Sequence, residues 1–195
     1  MTFWDATARI YDFFEKFNPA YTQMIQRLTE IIPKNSTILE LAAGTGNISK
    51  KVSHKAKSVL CTDISNSMLK VAKGKMKNIS NVEFALDSIY DINQSDNSFD
   101  VVIASQVFHL LDEPKKAAIE IKRVAKDIAI MPIPITKDAN PWGKFLIGLY
   151  RLFGYRGKKM SFEECKEFVS NIGFKNCEFI LIKGIVPIAI AIWSK

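Results

Sequence analysis

The chain reads I-L-E-L-A-A-G-T-G-N-I-S from Ile38 to Ser49, an apolar run that ends in a glycine-rich turn. The apolar first half is typical of a short buried strand. Gly44 and Gly46 then allow the backbone to turn sharply and to approach a ligand without an intervening side chain. A helix is expected to begin after the turn, with a ligand lying against the backbone amides at its start. The stretch therefore predicts a strand, a turn and a helix beside a ligand site.

A second apolar strand, at residues 58–62, ends at Asp63. In open α/β sheets, ligands bind beyond the carboxyl ends of the strands, where an acid can bind both hydroxyls of a ribose. The turn is not a phosphate-binding P-loop, because no Gly-Lys-Ser or Gly-Lys-Thr follows it. Ser49 stands where the dinucleotide fingerprint has its third glycine, which weakens the alternative of a nicotinamide oxidoreductase. We expect two neighbouring strand ends to face one nucleoside ligand.

Helical and strand patterns alternate along the chain, which is typical of a mostly parallel sheet with helices on both faces. Strands are predicted at residues 37–41, 58–62, 82–86, 99–104, 127–131, 175–182 and 186–193. Helices are predicted at residues 3–17, 19–32, 46–53, 66–77, 114–125 and 161–171. The fifth strand is expected to be cut by Pro132 and Pro134. The pattern predicts an α/β fold.

The motifs of this sequence, taken in their order along the chain, resemble those of the class I S-adenosylmethionine-dependent methyltransferases. The likeness is greatest to the small-molecule group that includes the ubiquinone and menaquinone methyltransferases. The likeness covers most of the chain and is weakest from residue 136 to residue 160. It is carried by Tyr11-Asp12, Glu40 to Gly46, Asp63-Ile64-Ser65 with Met68-Leu69, Asp87-Ser88, Asp96 to Val102, His109-Leu110 and Glu120 to Val124. The resemblance implies a Rossmann-like, doubly wound sheet of seven strands, mostly parallel with an antiparallel last strand.

The same resemblance implies S-adenosylmethionine as the cofactor and S-adenosylhomocysteine as its product. By position, Glu40 would bind the methionine amino group and Asp63 the ribose hydroxyls. Gly44 and Gly46 would line the methionine and the ribose. Ala42 stands where the family usually has its first glycine, so the loop is expected to be tighter here.

The adenine side of the expected site is assigned by the same resemblance. Ile64 and Met68 would flank the adenine ring. Asp87 and the backbone amide of Ser88 would bind the edge of the ring. Ser105, just after the fourth strand, completes the implied set of cofactor-binding residues.

Methyl transfer from a sulfonium requires an aligned nucleophile, exclusion of water and, for a protonated nucleophile, a base. His109 is the candidate catalytic base, because it follows the fourth strand and an imidazole titrates near physiological pH. The alternative is a packed core histidine. Tyr11 resembles the amino-terminal tyrosine of the family that closes over the cofactor, and the alternative is that it packs within the first helix.

The stretch from residue 136 to residue 160 combines basic and aromatic side chains. With Asp138 included, it supplies +5 of the net charge of +7. If residues 141–153 are helical, their apolar side chains form one stripe, with Lys144 and Arg151 on the opposite side. Three interpretations stay open: an active-site lid, a peripheral membrane contact through residues 141–159, and a surface helix packed on the sheet. A lipophilic or anionic acceptor would suit the first two.

Length and composition favour one domain, residues 1–195, with amino-terminal helices within 1–33 and the stretch 136–160 as a cover of the active site. The start of the chain lacks the pattern of a secretory signal. The three cysteines lack C-x-x-C spacing, which argues against a disulfide framework or a zinc site and favours the cytoplasm. No metal is expected.

The net charge of +7 favours phosphate-bearing partners, but the motifs argue against nucleic acid as the substrate. No N-P-P-Y or D-P-P-Y follows the fourth strand, and Ser105-Gln106-Val107-Phe108 stands there instead. The sequence therefore predicts an S-adenosylmethionine-dependent methyltransferase that acts on a small molecule. The alternatives are a nucleic-acid methyltransferase and a non-catalytic S-adenosylmethionine-binding module.

Overall fold

The computed structural model describes residues 18–152 and 154–195. Tyr11 and the helix predicted at residues 3–17 lie outside the described residues. The helices are α1 (Pro19–Ile31), α2 (Asn47–Val52), α3 (Asn66–Lys75), α4 (Pro114–Val124), α5 (Pro141–Leu152) and α6 (Phe162–Asn171), and a short 3-10 helix spans Phe108–Leu110. The strands are β1 (Thr37–Leu41), β2 (Ser58–Asp63), β3 (Val82–Leu86), β4 (Phe99–Ala104), β5 (Ala125–Pro134), β6 (Glu178–Ile182) and β7 (Ile188–Ser194).

Seven strands form one sheet in the order β3-β2-β1-β4-β5-β7-β6. The pairs among β1 to β5 are parallel, and β7 is antiparallel to both of its neighbours. The strand order reverses between β1 and β4, so the connections that leave these two strands run in opposite directions along the sheet. This reversal opens a crevice at the carboxyl ends of β1 and β4, which is where doubly wound folds bind ligands. The predicted fold class is confirmed.

Successive apolar residues of the central strands point to opposite faces of the sheet, so the sheet is buried on both faces. On β1, Leu39 belongs to the core on one face and Ile38 to the core on the other. Helices α4 and α6 contribute to the first core, and α1 and α3 contribute to the second. The two layers of helices hold the strand ends in fixed positions.

Local sequence signals define where several helices begin. Asn18 caps α1, with Pro19 at the first helical position. Ser161 and Glu164 form the predicted capping box at the start of α6, and Ser65 caps α3. The other predicted bounds differ from the structure by a few residues, most at β6, which begins later than predicted.

The fifth strand is longer than predicted, because β5 runs from Ala125 to Pro134 instead of stopping at residue 131. Pro132 and Pro134 do not cut the strand, and both stay paired with β7. The N–H of Ile135 donates to the carbonyl of Pro187, on the side of β7. Because successive backbone nitrogens point to opposite sides of a strand, those of Pro132 and Pro134 face away from β7. Pairing with β4 has already ended there. A proline is tolerated at such a position because no ladder hydrogen bond needs its missing N–H.

Within the described residues, none of the helices has both the length and the apolar content that crossing a lipid bilayer requires.

Candidate functional site

The turn that follows β1 is built on alternating left-handed residues. Ala42, Gly44 and Gly46 have φ values of 49°, 56° and 74°. A Cβ at Gly46 would lie 2.6 Å from Met76 Cε and 3.0 Å from Ala72 Cβ, so this glycine lets the turn pack closely on α3. Among residues 18–152 and 154–195, none has an atom within 4 Å of a Cβ built at Gly44, its chain neighbours apart. Within this part of the chain the first glycine therefore faces open space, while the second serves packing.

Asp63 ties this turn to the end of β2. Its Oδ2 accepts the N–H of Gly44 at 2.7 Å, and its Oδ1 accepts the N–H of Ser65 at 2.8 Å. The side chain is buried at the carboxyl edge of the sheet. Through these two contacts the carboxylate holds the turn after β1 and the start of α3 at the end of β2.

Glu40, one strand away, is buried as well. Its Oε2 accepts both the N–H of Ser49, at 2.8 Å, and the hydroxyl of Ser49. Burial raises the pKa of the Glu40 carboxyl to about 7, the Ser49 hydrogen bonds oppose this rise, and the negative charge of Asp63 adds to it. A cation placed beside Glu40 would favour its ionised form, so the group is suited to a positively charged ligand.

Three backbone amides of the turn and of helix α2 are engaged within the protein. The N–H of Gly44 is engaged by Asp63 and the N–H of Ser49 by Glu40. The N–H of Gly46 is engaged by a carbonyl of the turn at 2.9 Å. The turn also lies beside two buried carboxylates, which suit a cationic ligand. A ligand against the remaining amides at the start of α2 stays a prediction.

Two exposed apolar side chains lie beside Asp63. Ile64 is 73% exposed, and Leu86, in register with Asp63 at the end of β3, is 63% exposed. Met68, the other residue expected to flank the adenine, is buried instead. Sequence reasoning missed Leu86, although its position at the last residue of the neighbouring strand was the available signal.

Asp87 and Ser88 lie in the loop after β3. The N–H of Asp87 donates to the carbonyl oxygen of Asp63 at 3.2 Å, which fixes the loop to the end of β2. The side chain of Asp87 accepts the N–H of Ser88 at 2.9 Å and the N–H of Asn93 at 3.3 Å. The Ser88 amide expected at the adenine edge is therefore engaged by Asp87 in this structure.

Ser105 lies at the other side of the crevice. Ala104, which precedes it, is in register with Leu41, so Ser105 follows β4 beside the turn that begins at Ala42. The hydroxyl of Ser105 is 3.7 Å from Met24 Sδ, a contact that joins α1 to the end of β4. The structure thus brings Ser105 to the same strand edge as the turn.

His109 is buried in the 3-10 helix that follows β4. Burial lowers its pKa to about 3, so the expectation of an imidazole that titrates near physiological pH does not hold. Among the described residues, its Nδ1 has no hydrogen-bond partner. The imidazole is therefore neutral, and its proton chemistry differs from that of an exposed histidine.

The segment that follows α5 covers His109. The ring of Tyr155 lies 5.9 Å from the imidazole, centroid to centroid, and the N–H of Lys158 donates to the His109 carbonyl at 2.7 Å. A Cβ at Gly157 would lie 2.3 Å from Tyr155 Oη and 2.7 Å from His109 Cδ2. The segment after α5 therefore packs tightly against the histidine.

Helix α5 forms as predicted, but its apolar stripe does not pack on the sheet. Trp142 and Phe145 are 57% and 53% exposed, and Leu152 is 82% exposed. The only fully buried residue of the helix is Gly143. The interpretation of a helix packed through its apolar stripe is wrong.

Comparisons with known proteins agree with this architecture. The family described as methyltransferase domain matches residues 39–131. The demethylmenaquinone methyltransferase of Leptospira interrogans is 30% identical over 156 residues, which are 73% of this chain and 63% of that protein. The chain belongs to the class I S-adenosylmethionine-dependent methyltransferases. The chain spans about half the length of the curated methyltransferases it matches.

Solved methyltransferase structures share the fold. A structure of an S-adenosylmethionine-dependent methyltransferase of Thermotoga maritima superposes with a TM-score of 0.74 at 17% identity, covering 99% of this chain and 98% of that one. The magnesium protoporphyrin IX methyltransferase of Synechocystis, with bound S-adenosylhomocysteine, superposes with a TM-score of 0.69 at 15% identity, over 90% and 84% of the chains. S-adenosylmethionine is the cofactor of this methyltransferase family.

The residues at the strand ends fit this cofactor chemically. The methionine part of S-adenosylmethionine carries an ammonium and a sulfonium, and the buried side chains near the turn include two carboxylates, those of Glu40 and Asp63. Within the described part of the chain, open space adjoins Gly44. The exposed side chains of Ile64 and Leu86 offer an apolar surface for a planar base.

Proposed function

We propose that this methyltransferase transfers a methyl group from S-adenosylmethionine to a small-molecule acceptor. The observation that carries the proposal is the pair of buried carboxylates, Glu40 and Asp63, beside the open space at Gly44. Held by these residues, S-adenosylmethionine would supply an electrophilic methyl carbon to the acceptor and leave as S-adenosylhomocysteine, while the acceptor would give up a proton.

In this proposal the chain binds and orients the cofactor through residues at three strand ends. Glu40 binds the ammonium group, and Asp63 binds the ribose hydroxyls while it holds the turn. Ile64 and Leu86 contact the adenine. The remaining residues proposed to line the cofactor are Ala42, Gly44, Gly46, Met68, Asp87, Ser88 and Ser105. Binding at the Ser88 amide would require it to exchange its contact with Asp87.

For the acceptor we propose a lipophilic compound of the quinone class in its reduced, hydroxylated form. Two observations support it. The Leptospira relative is a demethylmenaquinone methyltransferase, and the segment proposed as the cover, residues 136–160, is rich in aromatic side chains. The cover would open to admit the acceptor and close to exclude water, which strengthens electrostatic contacts within the site.

His109 is proposed to contact the acceptor. Its Nδ1 is buried and has no partner among the described residues, so an acceptor hydroxyl would satisfy it once Tyr155 moves aside. A neutral imidazole orients a hydroxyl through a hydrogen bond, and it accepts the proton as the acceptor acquires positive character. Tyr11 remains a prediction for closure over the cofactor.

We also propose that the protein works in the cytoplasm. Its three cysteines are free thiols, and Cys61 and Cys165 are buried. Unpaired cysteines are usual in a reducing compartment.

The test is a methyl-transfer assay that measures S-adenosylhomocysteine by mass spectrometry. The acceptors are a short-chain 1,4-naphthoquinol with an open ring position and, as a rival, a transfer RNA. We expect product only with the naphthoquinol. His109→Ala should lower kcat about tenfold or more and leave the KM for S-adenosylmethionine unchanged, within the usual contribution of a proton-transfer group. His54→Ala, an exposed histidine, is the control.

Each other outcome contradicts part of the proposal. Product with the RNA alone would overturn the acceptor class. Cofactor binding without product from any acceptor would favour a non-catalytic module. Equal kcat in His109→Ala and His54→Ala would leave His109 a packing residue.

A further inference from the structure

Helix α5 presents a stripe of large apolar side chains to solvent. Trp142, Phe145, Leu149 and Leu152 are all exposed, and they are called the outer stripe here. At 100° per residue these positions fall within an arc of roughly 80° on the helix. The rings of Trp142 and Phe145 stack with their centroids 5.3 Å apart. The outer stripe is therefore one continuous apolar surface.

The opposite face of α5 is fixed to the rest of the protein. The N–H of Asn140 donates to the carbonyl of Ile185 at 3.1 Å, and its side chain accepts the N–H of Gly143 at 2.8 Å. A Cβ at Gly143 would lie 2.4 Å from the same carbonyl oxygen of Ile185. At the other end, the guanidinium of Arg151 donates to the carbonyl of Gly157 at 3.0 Å. Contacts at both ends therefore hold the outer stripe towards solvent.

The segment that contains the outer stripe is strongly cationic. From residue 139 to residue 160 the chain has five basic and no acidic residues, and all five are exposed. They are Lys144, Arg151, Arg156, Lys158 and Lys159. On α5, Lys144 and Arg151 lie on the polar side of the helix, roughly 80° to 100° round from the nearest edge of the outer stripe, with Gly148 in between. Long basic side chains in this position can keep their charge in water while their stems lie along an apolar surface.

We propose that the outer stripe and these five cations bind the surface of an anionic lipid bilayer. The apolar side chains enter the boundary between headgroups and acyl chains, and the cations pair with the headgroups. Charge favours this occupant over a second copy of the chain, because a symmetric contact through α5 would bring like charges together. The aromatic and aliphatic stripe favours it over nucleic acid, whose backbone offers phosphates but no apolar layer.

The location gives the contact a use that rests on the proposed function. Helix α5 leads directly into Tyr155, Gly157 and Lys158, which cover His109. A lipophilic acceptor that leaves the bilayer would therefore arrive beside the segment that must open to admit it.

Co-sedimentation with lipid vesicles tests the contact on the full chain, without cofactor or acceptor. A failure here therefore leaves methyl transfer untouched. We expect binding to vesicles with about one third phosphatidylglycerol, weakened by salt, and little binding to pure phosphatidylcholine. The variants Phe145→Ser/Leu152→Ser and Lys144→Gln/Lys159→Gln should each bind about tenfold more weakly or worse.

Matched controls lie outside α5. Ile119→Ser replaces an apolar residue of α4 that is 62% exposed, and Lys70→Gln/Lys77→Gln removes two exposed charges near α3. Both should bind like the wild type. Equal losses in the controls and the α5 variants, or equal binding to neutral and anionic vesicles, would overturn the proposal.

Trp142 reports whether the stripe inserts. Vesicles with brominated acyl chains should quench part of the tryptophan emission, and Trp142→Phe should abolish that quenching. Quenching that persists in Trp142→Phe would contradict insertion of α5. A dimer in solution that Phe145→Ser/Leu152→Ser dissociates, or binding to RNA without binding to vesicles, would assign the surface to another partner.

Discussion

The two ends of the candidate site are built on opposite principles. At the ends of β1 and β2, the carboxylates of Glu40 and Asp63 are buried, and each accepts hydrogen bonds from backbone amides. At α5 and the segment after it, large apolar side chains are exposed, and Nδ1 of His109 is buried with no partner among the described residues. The first region is organised before a ligand arrives. The second encloses a buried nitrogen without a partner among the described residues, and we propose that it opens to admit the acceptor.

The largest effect is expected where one side chain joins two loops. Asp63→Ala removes two charge-assisted hydrogen bonds, to Gly44 and Ser65, and should lower the free energy of unfolding by about 3 kcal/mol. It should also weaken S-adenosylmethionine binding by on the order of 1 to 3 kcal/mol. Urea unfolding and calorimetry measure the two losses. The control is Asp127→Ala, an exposed acid on β5, and equal stability of the two variants would show that Asp63 does not organise the turn.

Glu40 should make the free energy of unfolding depend on pH. Its pKa is about 7 in the folded protein against an ordinary value of 4.5, so between these values the folded state holds a proton that the unfolded state has lost. The contribution of the Glu40 carboxyl to the free energy of unfolding is fully present below about pH 4.5. It is lost as pH rises through about 7, by on the order of 3 kcal/mol.

The variant Glu40→Gln should remove this slope, because the amide resembles a protonated carboxyl and does not ionise. The difference in unfolding free energy between variant and wild type should be small at pH 5 and favour the variant at pH 8. Glu83→Gln, an exposed residue of β3, is the control. A pH-independent difference for Glu40→Gln would contradict the raised pKa.

Substitutions at two glycines test how tightly the segment after α5 packs against His109. A Cβ at Gly157 would overlap Tyr155 and His109, so Gly157→Ala should cost about 1 to 2 kcal/mol of stability through overpacking. It should also speed hydrogen exchange at the Lys158 amide, which donates to the His109 carbonyl. Gly148→Ala meets nothing within 4 Å in α5 and should stabilise the helix by roughly 0.5 to 1 kcal/mol. Slow exchange at Lys158 in Gly157→Ala would contradict a tight cover.

The smallest effect concerns the start of the turn. Ala42 has a left-handed φ of 49°, which costs a residue with a Cβ roughly 1 kcal/mol. Ala42→Gly relieves that cost but adds unfolded-state entropy, so stability should rise by less than about 1 kcal/mol. Ala43→Gly, whose φ is not positive, should instead lose stability. Thermal unfolding of both variants checks the sign, and a clear loss in Ala42→Gly would contradict the strain.

The contrast between the strand ends and the α5 segment also explains which features could be predicted from the sequence. Glu40, the two glycines and Asp63 follow from short-range patterns, because strand, turn and acid occur within one βαβ unit. The partners of the Gly44 and Ser49 amides are carboxylates at the ends of β2 and β1, a pairing that depends on the fold. The continuation of β5 through Pro132 and Pro134 depends on which neighbouring strand ends first, and the burial of His109 depends on Tyr155, far along the chain. Neither relation is visible in a local pattern.

Calorimetric titration of S-adenosylhomocysteine into the wild type and Glu40→Gln tests the central claim most directly. The ligand keeps the ammonium group and cannot turn over. The wild type should bind one molecule, more tightly at pH 8 than at pH 6 as Glu40 ionises. Glu40→Gln should bind about tenfold more weakly at pH 8, about 1.4 kcal/mol, and without the pH dependence. Equal affinities at both pH values would contradict a cofactor site at the ends of β1 and β2.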